Sequence, residues 1–206
     1  MADRQRRLSD PRELRALAHP VRLGIIELLN VHGALTATEL GERLDESPAN
    51  CSWHLRKLAE HGFVEEGAGG GGRRRPWQVT SMGLTWDSSG EPEAALAGRT
   101  LSRLFLEREV DRLSLAQERL ADDDPEWQAA ADVTQSGLWL TAAELRELND
   151  RLRELLLERL ERHEDPTQRP PGSRLCAVMA WGVPTYGVAD PTPDTDPSPD
   201  QPGEER

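Results

Sequence analysis

Between Thr36 and Gly62 the chain reads TATELGERLDESPANCSWHLRKLAEHG, and its apolar positions form two short helical stripes with a polar break between them. Leu40 and Leu44 mark the first stripe. Cys51, Leu55 and Leu58 mark the second at i, i+4 and i+7, which places them on one helix face. Thr36 is suited to cap the first helix, with Glu39 three residues on to complete a capping box. Ser47 is suited to cap the second, with Pro48 at its first position, where a missing N–H breaks no helical bond. Gly62 ends it. The outward face of this second helix then carries Ala49, Asn50, Trp53, His54 and Lys57.

Upstream, Asp10-Pro11-Arg12-Glu13 opens a helix with Asp10 as cap and Glu13 as the box partner, and Leu14, Leu17 and Ala18 form its apolar side. A second helix starts at Pro20 and is apolar almost all round, as a buried helix is. Arg22 is its exception. Downstream, Phe63 to Glu66 and Trp77 to Thr80 are strand signals on either side of a loop with five glycines between Gly67 and Gly72. Arg73, Arg74 and Arg75 sit at the tip or on the returning edge. Helix, tight turn, helix and hairpin is the geometry that lays one helix into a DNA major groove and sets a hairpin against the backbone.

Residues 10 to 86 resemble the winged helix-turn-helix domain of the ArsR-type bacterial transcription regulators. The likeness spans about two-fifths of the chain, and the residues that carry it are HPVRLGIIELL (His19 to Leu29), the Ser47-Pro48-Ala49 turn, SWHLRKL (Ser52 to Leu58) and HGFVEE (His61 to Glu66). The resemblance implies a double-stranded DNA partner. Candidate contacts are Arg22, Thr36, Ser47, Pro48, Ala49, Asn50, Ser52, Trp53, His54, Arg56, Lys57, Arg73, Arg74 and Arg75. Asn50 suits adenine, and Arg56 and Lys57 suit phosphate. For Trp53 the alternatives are stacking on sugar or a thymine methyl, or packing within the protein. For Arg22 they are the DNA backbone or a surface ion pair. Metal-sensing members carry a Cys-x-Cys pair in the first helix of the motif; TATELGERLD has neither cysteine nor histidine, so no metal site is expected.

Charge changes the picture only through its distribution. The net −12 divides into +1 for residues 1 to 86 and −13 for residues 87 to 206. The DNA-binding candidate is therefore near neutral, with a local basic cluster on its wing. Two distant cysteines, Cys51 and Cys176, give no disulfide framework, and Cys51 falls on the inward helix face as a small core residue. No apolar run approaches the ~20 residues of a membrane span, and MADRQRRLSDP lacks the apolar centre of a signal peptide, so a cytoplasmic protein is expected.

A long helix follows from Pro92 to about Ala121, after a Ser88 to Pro92 linker. Leu106, Val110, Leu113 and Leu120 form a stripe close to a coiled-coil seam, extended by Leu101, Leu104 and Phe105. It is a dimer helix or a helix packed on its own domain. Asp122 to Pro125 breaks it, and Glu126 to Ala131 is a short helical piece. Val133 to Leu140 and Leu175 to Trp181 are strand signals around a helix that begins with the Thr141–Glu144 capping box and carries Leu145, Leu148, Leu152, Leu155, Leu156 and Leu160. Trp139, Met179 and Trp181 are a small-molecule effector pocket or simply core. From Pro184 onward proline, aspartate and threonine dominate, the composition of a disordered acidic tail.

The predicted architecture is mainly α with small β. It divides into a winged helix-turn-helix over 1–86, a linker and dimerisation helix over 87–122, a strand-helix-strand region over 123–183 and a tail over 184–206. No phosphate loop, nucleophile elbow or HExxH is present, so no enzyme, catalytic residue or cofactor is expected. The expectation is a DNA-binding regulator acting as a homodimer on a palindromic operator. The competing one is a winged helix that has become a protein-binding module.

Overall fold

Proline and short polar side chains set most of the helix starts. The computed structural model describes residues 5–67, 75–86 and 91–186, in two compact units divided between residues 134 and 135. In the first unit, helix α1 (Pro11–Leu17) is capped by Asp10, whose carboxylate accepts from the Arg12 N–H at 2.7 Å. Glu13 does not close the expected capping box; it pairs with Arg6 instead. Helix α2 (Pro20–His32) is capped by His19, whose Nδ1 accepts from the Val21 N–H. Helix α3 (Ala37–Leu44) has the complete Thr36–Glu39 capping box, and helix α4 (Pro48–Glu60) is capped by Ser47.

These four helices enclose one core. Leu14, Leu17, Ile25, Leu29, Leu40, Cys51, Leu55, Leu58 and Phe63 are all buried in it. Glycine makes two close approaches possible. A Cβ at Gly24 would lie 2.7 Å from Leu44 Cδ2, so its absence lets α2 reach α3. Gly41 is treated with the site below.

Four short strands complete the first unit. Val64–Glu66 (β2) and Trp77–Val79 (β3) form the expected antiparallel hairpin, with Val64 opposite Val79 and Glu66 opposite Trp77. A second ladder had no local signal: Gln5–Leu8 (β1) pairs in parallel with Gly83–Trp86 (β4). This pairing buries Leu8. It also brings Arg6 to the end of α4, where its guanidinium donates to the carbonyls of His61 (2.8 Å) and Gly62 (2.7 Å) and lies over the Phe63 ring at 4.6 Å.

The long helix α5 (Pro92–Leu120) packs on its own unit, one of the two alternatives its pattern allowed. Its first turns bury Ala95, Ala97 and Leu101 against the first unit, chiefly on α1, so no break in packing follows residue 86. Trp86 donates from its indole to Ser102 Oγ at 2.9 Å and meets Phe105 edge to face. Farther along, Arg108 and Arg112 both pair with Glu27 of α2. Around that anchor the stripe residues Leu106, Val110 and Leu113 stay exposed. Helix α6 (Pro125–Ala130) follows a break at Asp124.

The second unit contains α7 (Ala142–Leu157), begun by the Thr141–Glu144 capping box, then α8 (Glu161–Glu164) and a 3₁₀ turn at Pro166–Gln168. Helix α7 stops short of Leu160. The strands expected at 133–140 and 175–181 are not formed; neither segment belongs to a ladder. A strand exists only through a partner's backbone, and among the described residues neither has one. Trp139, Met179 and Trp181, expected as pocket or core, are exposed, Trp139 at 91%. The acidic tail from residue 187 and most of the linker lie outside the described residues. Among the described residues no helix is long and apolar enough to cross a membrane.

Candidate nucleic-acid interface

The turn between α3 and α4 is held by backbone geometry that leaves no room for a side chain at its pivot. Asp45 adopts a left-handed conformation (φ 54°) at the end of α3, and its N–H and that of Glu46 both reach back to the Gly41 carbonyl. A Cβ on Gly41 would lie 2.6 Å from the Glu46 carbonyl oxygen. Pro48 then fixes the first φ of α4. The result aims the N-terminal turn of α4 outward.

The inner side of α4 is wider than its apolar pattern suggested. Cys51, Leu55 and Leu58 are buried as expected, and so is His54, at 3% exposure. His54 was expected to face DNA; its ring instead rests on that of His19 (centroids 4.6 Å apart) and takes Trp53 edge-on at 4.8 Å. A polar ring lies here because another imidazole, from the α2 cap, completes the pocket. Its Nδ1 has no hydrogen-bond partner among the described residues.

The outer side keeps Ser47, Pro48, Ala49, Trp53 and Arg56 exposed, Trp53 at 46% despite its contact with His54. Asn50, Ser52 and Lys57 are half-buried. Several of the candidate donors already have partners. The Asn50 amide donates to Glu46 Oε2 at 2.8 Å, Lys57 pairs with Glu60 at 2.8 Å, and Arg75, where the loop re-enters the hairpin, pairs with Glu66 at 2.8 Å. The Thr36 hydroxyl is used by the capping box. Arg22 is half-buried, its Nη2 donating to the Arg15 carbonyl at 3.4 Å while burial pulls its pKa down; among the described residues it makes no surface ion pair. Arg73 and Arg74 lie outside the described residues. Among the described residues no cluster of three or more His, Cys, Asp or Glu is placed to hold a metal ion.

Burial is the first cause that lowers the pKa of both His19 and His54. The Arg22 cation adds to it for both, and His19 itself does so for His54; Glu46 opposes. Both rings are therefore held neutral, and the unfolded chain takes up protons first as pH falls. The sign follows: their contribution to stability is whole above the ordinary histidine value near 6.5 and is lost as pH falls through the lowered folded values. Thermal melting between pH 8 and pH 5 should show a plateau above about 7 and a decline below 6.5. His19→Asn/His54→Gln should flatten that decline; a full decline in the double variant would assign it to other groups.

Comparison with known proteins agrees with this local geometry and adds little beyond it. No curated protein matches the chain. Among solved structures, a MarR family regulator from Neisseria meningitidis is similar at 14% identity over 70% of this chain and 78% of that one, with a TM-score of 0.30. Likeness at that level carries no argument. Residues 17–67 match the family model of a helix-turn-helix domain. That span runs from the end of α1 to the residue after β2, so α3, its glycine-pivoted turn and α4 are the helix-turn-helix of this chain.

Proposed function

We propose that the chain is a transcription regulator of the ArsR-like, non-metal-sensing type that binds double-stranded DNA as a homodimer on a palindromic operator. The observation that carries this reading is the two-sidedness of α4. Its inner face is sealed by Cys51, His54, Leu55 and Leu58, while Ser47, Pro48, Ala49, Trp53 and Arg56 stand open on the other. The β2–β3 hairpin beside it returns through an arginine run. Two copies are needed because one such helix reads only a half-site. The exposed Leu106, Val110 and Leu113 on α5 support a seam between copies. Ser47, Ala49, Asn50 and Trp53 enter the groove, and Arg22, Thr36, Ser52, Arg56, Lys57, Arg73, Arg74 and Arg75 serve the backbone. His54 serves by holding α4 in place.

One observation favours the competing reading, a winged helix that binds protein. Lys57 and Arg75 already pair with Glu60 and Glu66, so two of the candidate phosphate contacts are engaged within the protein. A gel shift on the chain's own upstream DNA at moderate salt separates the two. Specific retention is expected, and its absence would favour the protein-binding module. Arg73, Arg74 and Arg75 together changed to alanine should weaken binding to every sequence. The same variant should flatten the salt dependence by ~0.9 in log–log slope for each phosphate it no longer neutralises. Asn50→Ala should change sequence preference more than affinity.

A further inference from the structure

The second unit has ordered elements but no interior. Among the described residues from 135 to 186, none whose burial is described is buried. The chain is nevertheless held in place there. The Asn149 amide of α7 donates to the Gly182 carbonyl at 3.0 Å, and a Cβ on Gly182 would lie 2.9 Å from Leu145 Cδ1. The chain thus meets α7 just after Trp181, at Gly182, while Val178 and Trp181 remain exposed. Its sequence, LCAVMAW, is apolar at every position, the pattern of a strand covered on both faces. A bare apolar segment with strand-forming residues is a template for pairing.

We propose that a second copy of this chain covers the second unit, with Leu175–Trp181 joining an intermolecular β-ladder. The area agrees with this. Leu138, Trp139, Val178, Trp181, Val183 and Tyr186 are each more than half exposed. At ~150–250 Å² for a whole aromatic side chain they leave on the order of 800 Å² of side-chain surface. A standard interface takes about that from each partner. Charge points to a like partner. Residues 135–186 hold seven arginines against eight Asp and Glu, near neutrality within a chain of net −12, so two copies meet there without strong repulsion. A two-fold axis supplies each copy with the strand the other lacks.

The contact deepens the homodimer reading and is tested without DNA, so failure to bind an operator leaves it standing. Sedimentation velocity of the full chain at 1 and 50 µM should show a dimer. Amide exchange should show protection at 176–181 that disappears on dilution. Val178→Asp/Trp181→Asp should raise the dimer dissociation constant at least 100-fold while leaving exchange in α2 to α4 unchanged. A monomer at 50 µM overturns the proposal. So does protection that ignores dilution, which would mean cover from within one chain. A dimer abolished by Val110→Asp on α5 but indifferent to the 178/181 variant overturns it as well.

Discussion

Gly41→Ala should destabilise the first unit by about 3 kcal/mol, at the upper end of the range for overpacking a tight site. The added Cβ would meet the Glu46 carbonyl at 2.6 Å, a backbone atom with no rotamer to change. The next atom it approaches is Pro48 N at 3.4 Å, whose ring fixes φ, so relief by a local shift of the turn is restricted as well. Thermal unfolding of a domain of this size moves ~3–5 °C per kcal/mol, so the midpoint should fall by about 10 °C. The remaining folded protein should also bind operator DNA more weakly, since the turn must open to admit the methyl group and α4 moves with it. A variant with an unchanged midpoint would show that the turn relaxes freely.

Phe63→Ala should cost about 3–5 kcal/mol, the usual range for emptying an aromatic site in a core. Phe63 is 2% exposed at the point where α4 hands over to β2. Its ring also carries the Arg6 guanidinium, which caps the carbonyls of His61 and Gly62. Arg6→Ala should be less damaging, about 2 kcal/mol, because Arg6 is partly exposed and the freed carbonyls can take water. The two changes share a contact, so a double-mutant cycle in urea should give a coupling of at least 0.5 kcal/mol. Strict additivity would mean that the N-terminal strand and the hairpin are held independently.

What could be read in the sequence was what a few neighbouring residues decide. Thr36 with Glu39, Ser47 with Pro48, and Thr141 with Glu144 each announce a helix start within four positions, and all three caps are formed. The hairpin was equally local. His54 was misplaced because Cys51, Leu55 and Leu58 define a narrow stripe. His54 lies on its border, and what draws it inward is His19, thirty-five positions upstream. The β1–β4 ladder joins segments nearly eighty residues apart; GLTW alternates over only four residues, and QRRL carries no alternation to mark it as the partner. The segments at 133–140 and 175–181 fail in the opposite sense. Their residues are right for strands, but pairing belongs to two segments at once, and among the described residues neither has a partner.

Glu27 gives the fold a lever. Its carboxylate is gripped by Arg108 and Arg112 well along α5, and α2, on which it sits, begins at the histidine that rests against His54. Rotating α5 about its axis must therefore either part both arginines from Glu27 or drag α2 along. In a tightly filled interior a dragged α2 shifts the seat of α4. Where the grip holds, force applied at the far end of the long helix is felt at the residues that point away from the protein, with one carboxylate as the fulcrum.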